Sequence, residues 1–212
     1  MVSVVALGAG LLVAFRLTAD GPDGSAGPRV VQPGAPGQPG RTLSTDDLSS
    51  LSPPAHTAAD TRFMQRMIMH HGQALRMTAL VPGRGQSAEI PLLAGRIDAS
   101  QRDEITQMRR WLADRREEVA QPTPDHAGHE LMPGMLTDGQ FRQLDLARGV
   151  AFDRLFLEFM IYHHEGALAM VRELYATGGG FEPACDRFAR DVNADQNIEI
   201  GRMRLMLAGR SS

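Results

Sequence analysis

Asp60 to Met77 reads DTRFMQRMIMHHGQALRM, and Asp153 to Met170 reads DRLFLEFMIYHHEGALAM. At a constant offset of 93, Asp60 meets Asp153, Phe63 meets Phe156 and Met67 meets Met160. His70–His71 meets His163–His164, Ala74–Leu75 meets Ala167–Leu168, and Met77 meets Met170. Apolar residues recur every three or four positions, the period of a helix with one buried face. At about 100° per residue, Asp60, Phe63, Met67, His70, His71, Ala74 and Met77 fall within roughly 120° of arc. The pattern predicts a helix that turns both histidines onto its buried face or to its edge. Pro82-Gly83-Arg84-Gly85 ends it.

A second helix is expected from about Ile90 to Arg116, with an inner stripe of Ile97, Gln101, Glu104, Ile105, Met108 and Leu112. Two polar residues on a core stripe are unusual. The stripe recurs as Val192, Gln196, Glu199, Ile200, Met203 and Leu207 at an offset of 95. The connection in the second half has gained two residues, which fits Tyr175-Ala176-Thr177-Gly178-Gly179-Gly180. Each half is a helical hairpin. Short connections make neighbouring helices antiparallel, and two hairpins must close on each other to cover their apolar stripes. The expected fold is all-α, a four-helix bundle made of two repeated helical hairpins with pseudo-two-fold symmetry.

Around this core the chain divides into further segments. Val2 to Phe15 is an apolar run closed by Arg16. It is shorter than the ~20 residues of a membrane span and suits a signal h-region. No positive n-region precedes it, and Leu17-Thr18-Ala19 is a poor cleavage site. Both features fit the tail of a longer signal anchor. Residues 1–19 are therefore expected to be a signal or membrane anchor that places the body of the protein outside the cytoplasm. Residues 20–56, rich in Gly and Pro, cannot bury enough apolar surface to offset ordering and read as a disordered tether. His56 reads as a solvated loop residue. The four-helix domain is expected at 57–208: repeat one at 57–119, a linker at 120–150 and repeat two at 151–208. Within the linker, His126, His129, Met132 and Met135 fall at intervals of three, and Pro133-Gly134 excludes a helix through them. Thr137 with Gln140 forms a capping-box pattern opening a short helix, about Asp138 to Arg148.

Bulk properties exclude several functions. The 212 residues are 42% hydrophobic, enough for a core, and the net charge of −3 gives no nucleic-acid footprint. All basic side chains are Arg, mixed with Asp and Glu as on a solvated surface. Cys185 is the sole cysteine, so no intrachain disulfide or thiolate cluster can form. Soft-metal chemistry would fall to 12 methionines and seven histidines.

The motifs MIMHHGQALRM, IDASQRDEITQMRRWL, MPGMLTDGQ, FDRLFLEFMIYHHEGALAM and VNADQNIEIGRMRLML resemble the bacterial domain-of-unknown-function family 305 over roughly residues 57 to 208. The resemblance implies a ferritin-like four-helix fold and an extracytoplasmic location, and some family members are associated with copper. One departure is visible: the fourth helix has no Trp matching Trp111.

Imidazole nitrogen and thioether sulfur together suit soft or borderline ions, copper above all. Candidate ligands are Met67, His70, His71, Met77 and Met108 in the first half, and Met160, His163, His164, Met170 and Met203 in the second. His126, His129, Met132 and Met135 are a possible loop site. Adjacent histidines point about 100° apart, so one of each pair is expected to ligate while the other bonds across the bundle. Gln101, Glu104, Gln196 and Glu199 are placed to accept a proton from a ring nitrogen and orient it. No catalytic residue is expected. The Glu-x-x-His of di-iron bundles is missing, and His164-Glu165 is not followed by the second histidine of a zinc protease. The residues therefore predict a membrane-tethered, extracytoplasmic copper-binding protein for buffering, resistance or delivery. Two alternatives stand beside it: an envelope interaction module whose histidines are structural, and a ferritin-like redox enzyme with a metal pair. Asp60 and Asp153 read as helix-start caps.

Overall fold

The computed structural model describes residues 4–7, 11–14, 30–32, 39–44, 46–47, 53–119 and 131–209. The chain falls into two units, Met1–Pro53 and Pro54–Ser212. In the first, β1 (Val4–Leu7) pairs antiparallel with β2 (Leu11–Ala14), and β3 (Val30–Gln32) with β4 (Arg41–Leu43). The described part of the apolar run is thus a β pair, in keeping with β-branched Val4, Val5 and Val13. Among the described residues, no helix is long and apolar enough to cross a membrane. Strands β3 and β4 lie within the segment read as a tether.

The second unit carries four long helices and a short one: α1 (Ala58–Thr78), α2 (Glu89–Asp114), α3 (Asp138–Leu146), α4 (Gly149–Ala176) and α5 (Pro183–Ala208). It is an all-α bundle. Helix α1 opens two residues before Asp60, because Thr57 is the cap. The Thr57 hydroxyl accepts from the Asp60 amide, and the Asp60 carboxylate accepts from the Thr57 amide at 2.7 Å, a capping box. Helix α4 opens at Gly149, a full turn before Asp153. Thr137 and Gln140 form the expected box at the start of α3, which ends at Leu146 because Ala147 turns extended.

Asp60 does more than cap, and Asp153, a turn inside α4 behind the N-cap Arg148, is not the cap expected of it. Asp60 is fully buried and accepts from the Gly180 amide, at 2.6 Å, in the α4–α5 connection. Asp153, also fully buried, accepts from the Gln86 and Ser87 amides, at 3.1 and 2.9 Å, in the α1–α2 connection. Each half thereby fastens the inter-helix loop of the other. His56, expected to be solvated, bonds Glu117 at 3.0 Å and meets the edge of Trp111.

Two apolar clusters fill the interior. One contains Met67, Ile105, Met108, Trp111, Met170, Phe188 and Val192. The other contains Met77, Ile97, Phe152, Phe156, Met160, Ile200 and Met203. Along each long helix the chain crosses from one cluster to the other at its polar core residues: His70–His71, Gln101–Glu104, His163–His164 and Gln196–Glu199. These residues form a polar layer through the middle of the bundle.

Candidate metal centre

All four histidines of the layer are fully buried. The rings of His70 and His163 stack with centroids 3.8 Å apart, and each lies 6.3 Å from its sequence neighbour. Roughly 100° of helical rotation separates adjacent side chains, so the second histidine of each pair turns toward the partner helix of its own hairpin. There His71 Nε2 bonds Glu104 Oε2 very closely, and His164 Nε2 bonds Glu199 Oε2 at 2.6 Å. Ser100 Oγ donates to the other oxygen of Glu104 at 3.2 Å.

A carboxylate accepts, so Nε2 of His71 and of His164 carries the proton. Nδ1 of each ring is then the nitrogen turned away from the carboxylate. His70 reaches the same state by another route. Its Nε2 lies 3.0 Å from the Pro133 carbonyl, which can only accept. Among the described residues, Nδ1 of His70, His71 and His164 has no partner, and neither nitrogen of His163 meets one at hydrogen-bond geometry, with only the His70 main chain beside it. Burial, aided by the neighbouring His71, pushes the His70 pKa down to about 3. Burial, then His70, also pushes His163 well below the usual range. Both central rings are neutral at pH 7, with lone pairs inside the bundle. A buried polar atom without a partner costs about 1–3 kcal/mol, so four such rings in one layer are a costly arrangement for the apo protein.

Glu104 and Glu199 bond His71 and His164, and among the described residues no hydrogen bond joins Gln101 or Gln196 to a histidine. Both are 1% exposed; among the described residues, neither amide atom of Gln101 nor Oε1 of Gln196 has a partner. The methionines also sort differently from the sequence grouping. Met67 and Met108 share a cluster with Met170 from the second half, and Met160 and Met203 share one with Met77 from the first. Antiparallel closure explains this: it brings the start of one histidine helix beside the end of the other. Each cluster therefore brings three candidate methionines to one side of the layer. Among the described residues, no three His, Cys, Asp or Glu side chains converge to hold a metal ion. An ion in the layer would therefore draw on methionine sulfur.

The segment Leu131–Leu136 lies across the layer at α1 and α4. Gln73 clamps it with both amide atoms: Nε2 donates to the Leu136 carbonyl at 3.0 Å, and Oε1 accepts from the Leu136 amide at 2.7 Å. On the α4 side, Gly134 (φ 76°) meets Gly166 so closely that a Cβ on Gly134 would stand 2.6 Å from Gly166 Cα. A Cβ on Gly166 would strike the Pro133 carbonyl. Gly166→Ala is expected to cost about 3 kcal/mol, since backbone rather than a side-chain tip must move; a denaturant melt within 0.5 kcal/mol of wild type, as a surface change gives, would contradict this. Met132 packs against the first cluster and Met135 is buried, while His126 and His129 lie outside the described residues. Sequence reasoning missed Gln73, Pro133 and Gly166. A signal was present: Gln73 and Gly166 are repeat mates at the offset of 93, a large amide opposite a bare glycine.

The family model described as Domain of unknown function (DUF305) matches residues 60–207. A DUF305 fragment from Deinococcus radiodurans is 32% identical, with a TM-score of 0.64 over 73% of this chain and 99% of that one. A DUF305 protein from Streptomyces coelicolor, described as secreted, is 28% identical, with a TM-score of 0.63 over 73% and 94% of the two chains. CopM in its Cu(II)-bound form is 28% identical, with a TM-score of 0.60 over 71% and 96%. CopM is also solved with Cu(I) and with Ag. No curated protein matches the chain.

Proposed function

Given that this chain belongs to the DUF305 family, we propose that it is an extracytoplasmic metal-binding protein whose cargo is copper, held for buffering or delivery. One observation carries the reading: four buried histidines present unpartnered nitrogens in a single layer, between two clusters that each include three of the candidate helix methionines. Imidazole with thioether selects Cu(I) and similar soft ions over Zn, Mg or Ca. His71 and His164, oriented by Glu104 and Glu199, offer Nδ1. His70 and His163 sit at the pseudo-two-fold, with Met67, Met77, Met108, Met160, Met170 and Met203 as the sulfur donors. CopM structures holding Cu(I), Cu(II) and Ag, and the relative described as secreted, support the metal and the location. Anchoring through the N-terminal segment belongs to the same proposal, and rests on its apolar run alone.

Titration of the purified protein with Cu(I) against a chromophoric competing chelator tests this. The variant carrying His70→Ala, His71→Ala, His163→Ala and His164→Ala is expected to bind at least about a hundredfold more weakly, which is about 2.7 kcal/mol. Equal affinity would sink the proposal. A second reading, an envelope interaction module, draws on the bonds of His71 to Glu104 and His164 to Glu199, which by themselves specify a unique packing. On that reading the four substitutions lower Tm, and Cu(I) leaves the wild-type Tm unchanged. A bound ion instead raises stability by about 2.7 kcal/mol at a hundred times Kd.

A further inference from the structure

The repeat makes His70 and His163 equivalent, and the rest of the structure makes them unequal. His70 Nε2 is held by the Pro133 carbonyl at 3.0 Å, whereas His163 meets no partner at that geometry among the described residues and has only the looser His70 main chain beside it. The cause is topological. The chain has one connection between its two hairpins, and its Leu131–Leu136 segment cannot serve both sides of the pseudo-two-fold. It lies with Gly134 against the main chain of α4 at Tyr162, His163 and Gly166, and it reaches over to His70 with the Pro133 carbonyl. Gln73, three residues after His70 on α1, holds it there.

We propose that this strap assigns different roles to the two central histidines. His163 is the first anchor of an incoming soft metal ion, and His70 joins fully only when the strap releases its Nε2. With the strap down, His70 is one fixed tautomer: Nε2 carries the proton and only Nδ1 is free to ligate. The strap holds neither nitrogen of His163. Gln73 is a positioning residue that acts through Pro133 on His70. This inference rests on the metal-binding reading and deepens it.

The test is a set of Cu(I) affinities, again by chelator competition, for wild type, His70→Gln, His163→Gln, Gln73→Ala and the double variant Gln73→Ala/His70→Gln. The Gln substitutions keep a polar side chain in the layer and spare the fold. His163→Gln is expected to weaken binding at least tenfold more than His70→Gln. Loss of the Gln73 clamp removes two hydrogen bonds from the strap, so Gln73→Ala is expected to strengthen binding several-fold by freeing His70. It should also speed hydrogen exchange at the Leu136 amide. In the double variant the gain in affinity should vanish, whereas a merely structural effect of Gln73 would persist there. Equal losses from His70→Gln and His163→Gln would overturn the inference. So would unchanged affinity in Gln73→Ala, whether or not Leu136 exchange quickens, or a gain that survives removal of His70. Wild-type protein that takes up no Cu(I) overturns the metal reading itself, an outcome separate from these.

Discussion

Between pH 6.5 and pH 5 the apo protein is expected to lose about 1.6 kcal/mol of folding stability through His70, with His163 adding to the loss in the same direction. In the unfolded chain both titrate near the ordinary 6.5, whereas in the fold burial holds His70 down at about 3 and His163 also far below its usual value. More than about one pH unit above 6.5 neither state binds these protons, and stability is flat. Below it the unfolded state takes up two protons that the native state refuses. Each then tilts the balance toward unfolding by about 1.4 kcal/mol per pH unit, until the native pKa is reached. Buried carboxylates act in a lower window. Burial alone would raise the Asp60 carboxyl, but the Gly180 and Thr57 amides outweigh it and pull the group below its ordinary 3.8. Its contribution is complete above that value and is lost only as the pH falls through its native pKa. Urea melts at half-unit pH steps would read the histidine slope directly. A flat profile from pH 6.5 to 5 would remove the claim, and so would an unchanged slope in a His70→Gln/His163→Gln double variant. Bound Cu(I) should raise the whole profile without flattening it, since metal and fold alike keep protons off the native lone pairs while the unfolded chain still takes them up.

The second large effect belongs to Asp153. Asp153→Ala is expected to destabilise the bundle by about 4 kcal/mol, from two buried amide bonds to a carboxylate at about 1.5–3 kcal/mol each. It leaves the Gln86 and Ser87 amides stranded, and it unfastens the α1–α2 connection from α4. Asp153→Asn keeps one acceptor oxygen and should cost about half as much. Asp60→Ala should behave as its mate, because the Gly180 amide depends on it in the same way. Denaturant melts give the values; a cost below about 1 kcal/mol for Asp153→Ala would show that water or a neighbouring group replaces the carboxylate. Because each aspartate ties one hairpin to the loop of the other, both substitutions should also loosen coupling between the halves. Hydrogen exchange would show this as faster opening of the α1–α2 loop in Asp153→Ala and of the α4–α5 loop in Asp60→Ala.

Much of the bundle was legible because its information is local and periodic. Phe63, Met67, Ala74 and Met77 mark a buried helical stripe in any context, and the offsets of 93 and 95 reveal the duplication without reference to space. Glu104 and Glu199 could be tied to the histidines because each sits on the inner stripe of the neighbouring helix in the same hairpin. Contacts between hairpins were not legible in this way. Met67 and Met108 look like companions of Met77 along the chain, yet antiparallel closure sends Met77 to the other side of the layer. A simple capping role was the economical reading of Asp60 and Asp153, and it concealed the bonds each makes across the interface; Asp153 caps nothing.

The sequence by itself determined the helices, the repeat and the burial of four histidines, because amphipathic period and chain connectivity act over a few residues. Only the tertiary structure decided which nitrogen each histidine leaves bare, and that the two central rings differ. Those outcomes depend on one carbonyl, Pro133, arriving from 63 residues away and held by Gln73 and Gly166. A hydrogen bond is set by the position of its acceptor to within a few tenths of an ångström. No pattern along a single helix carries that information.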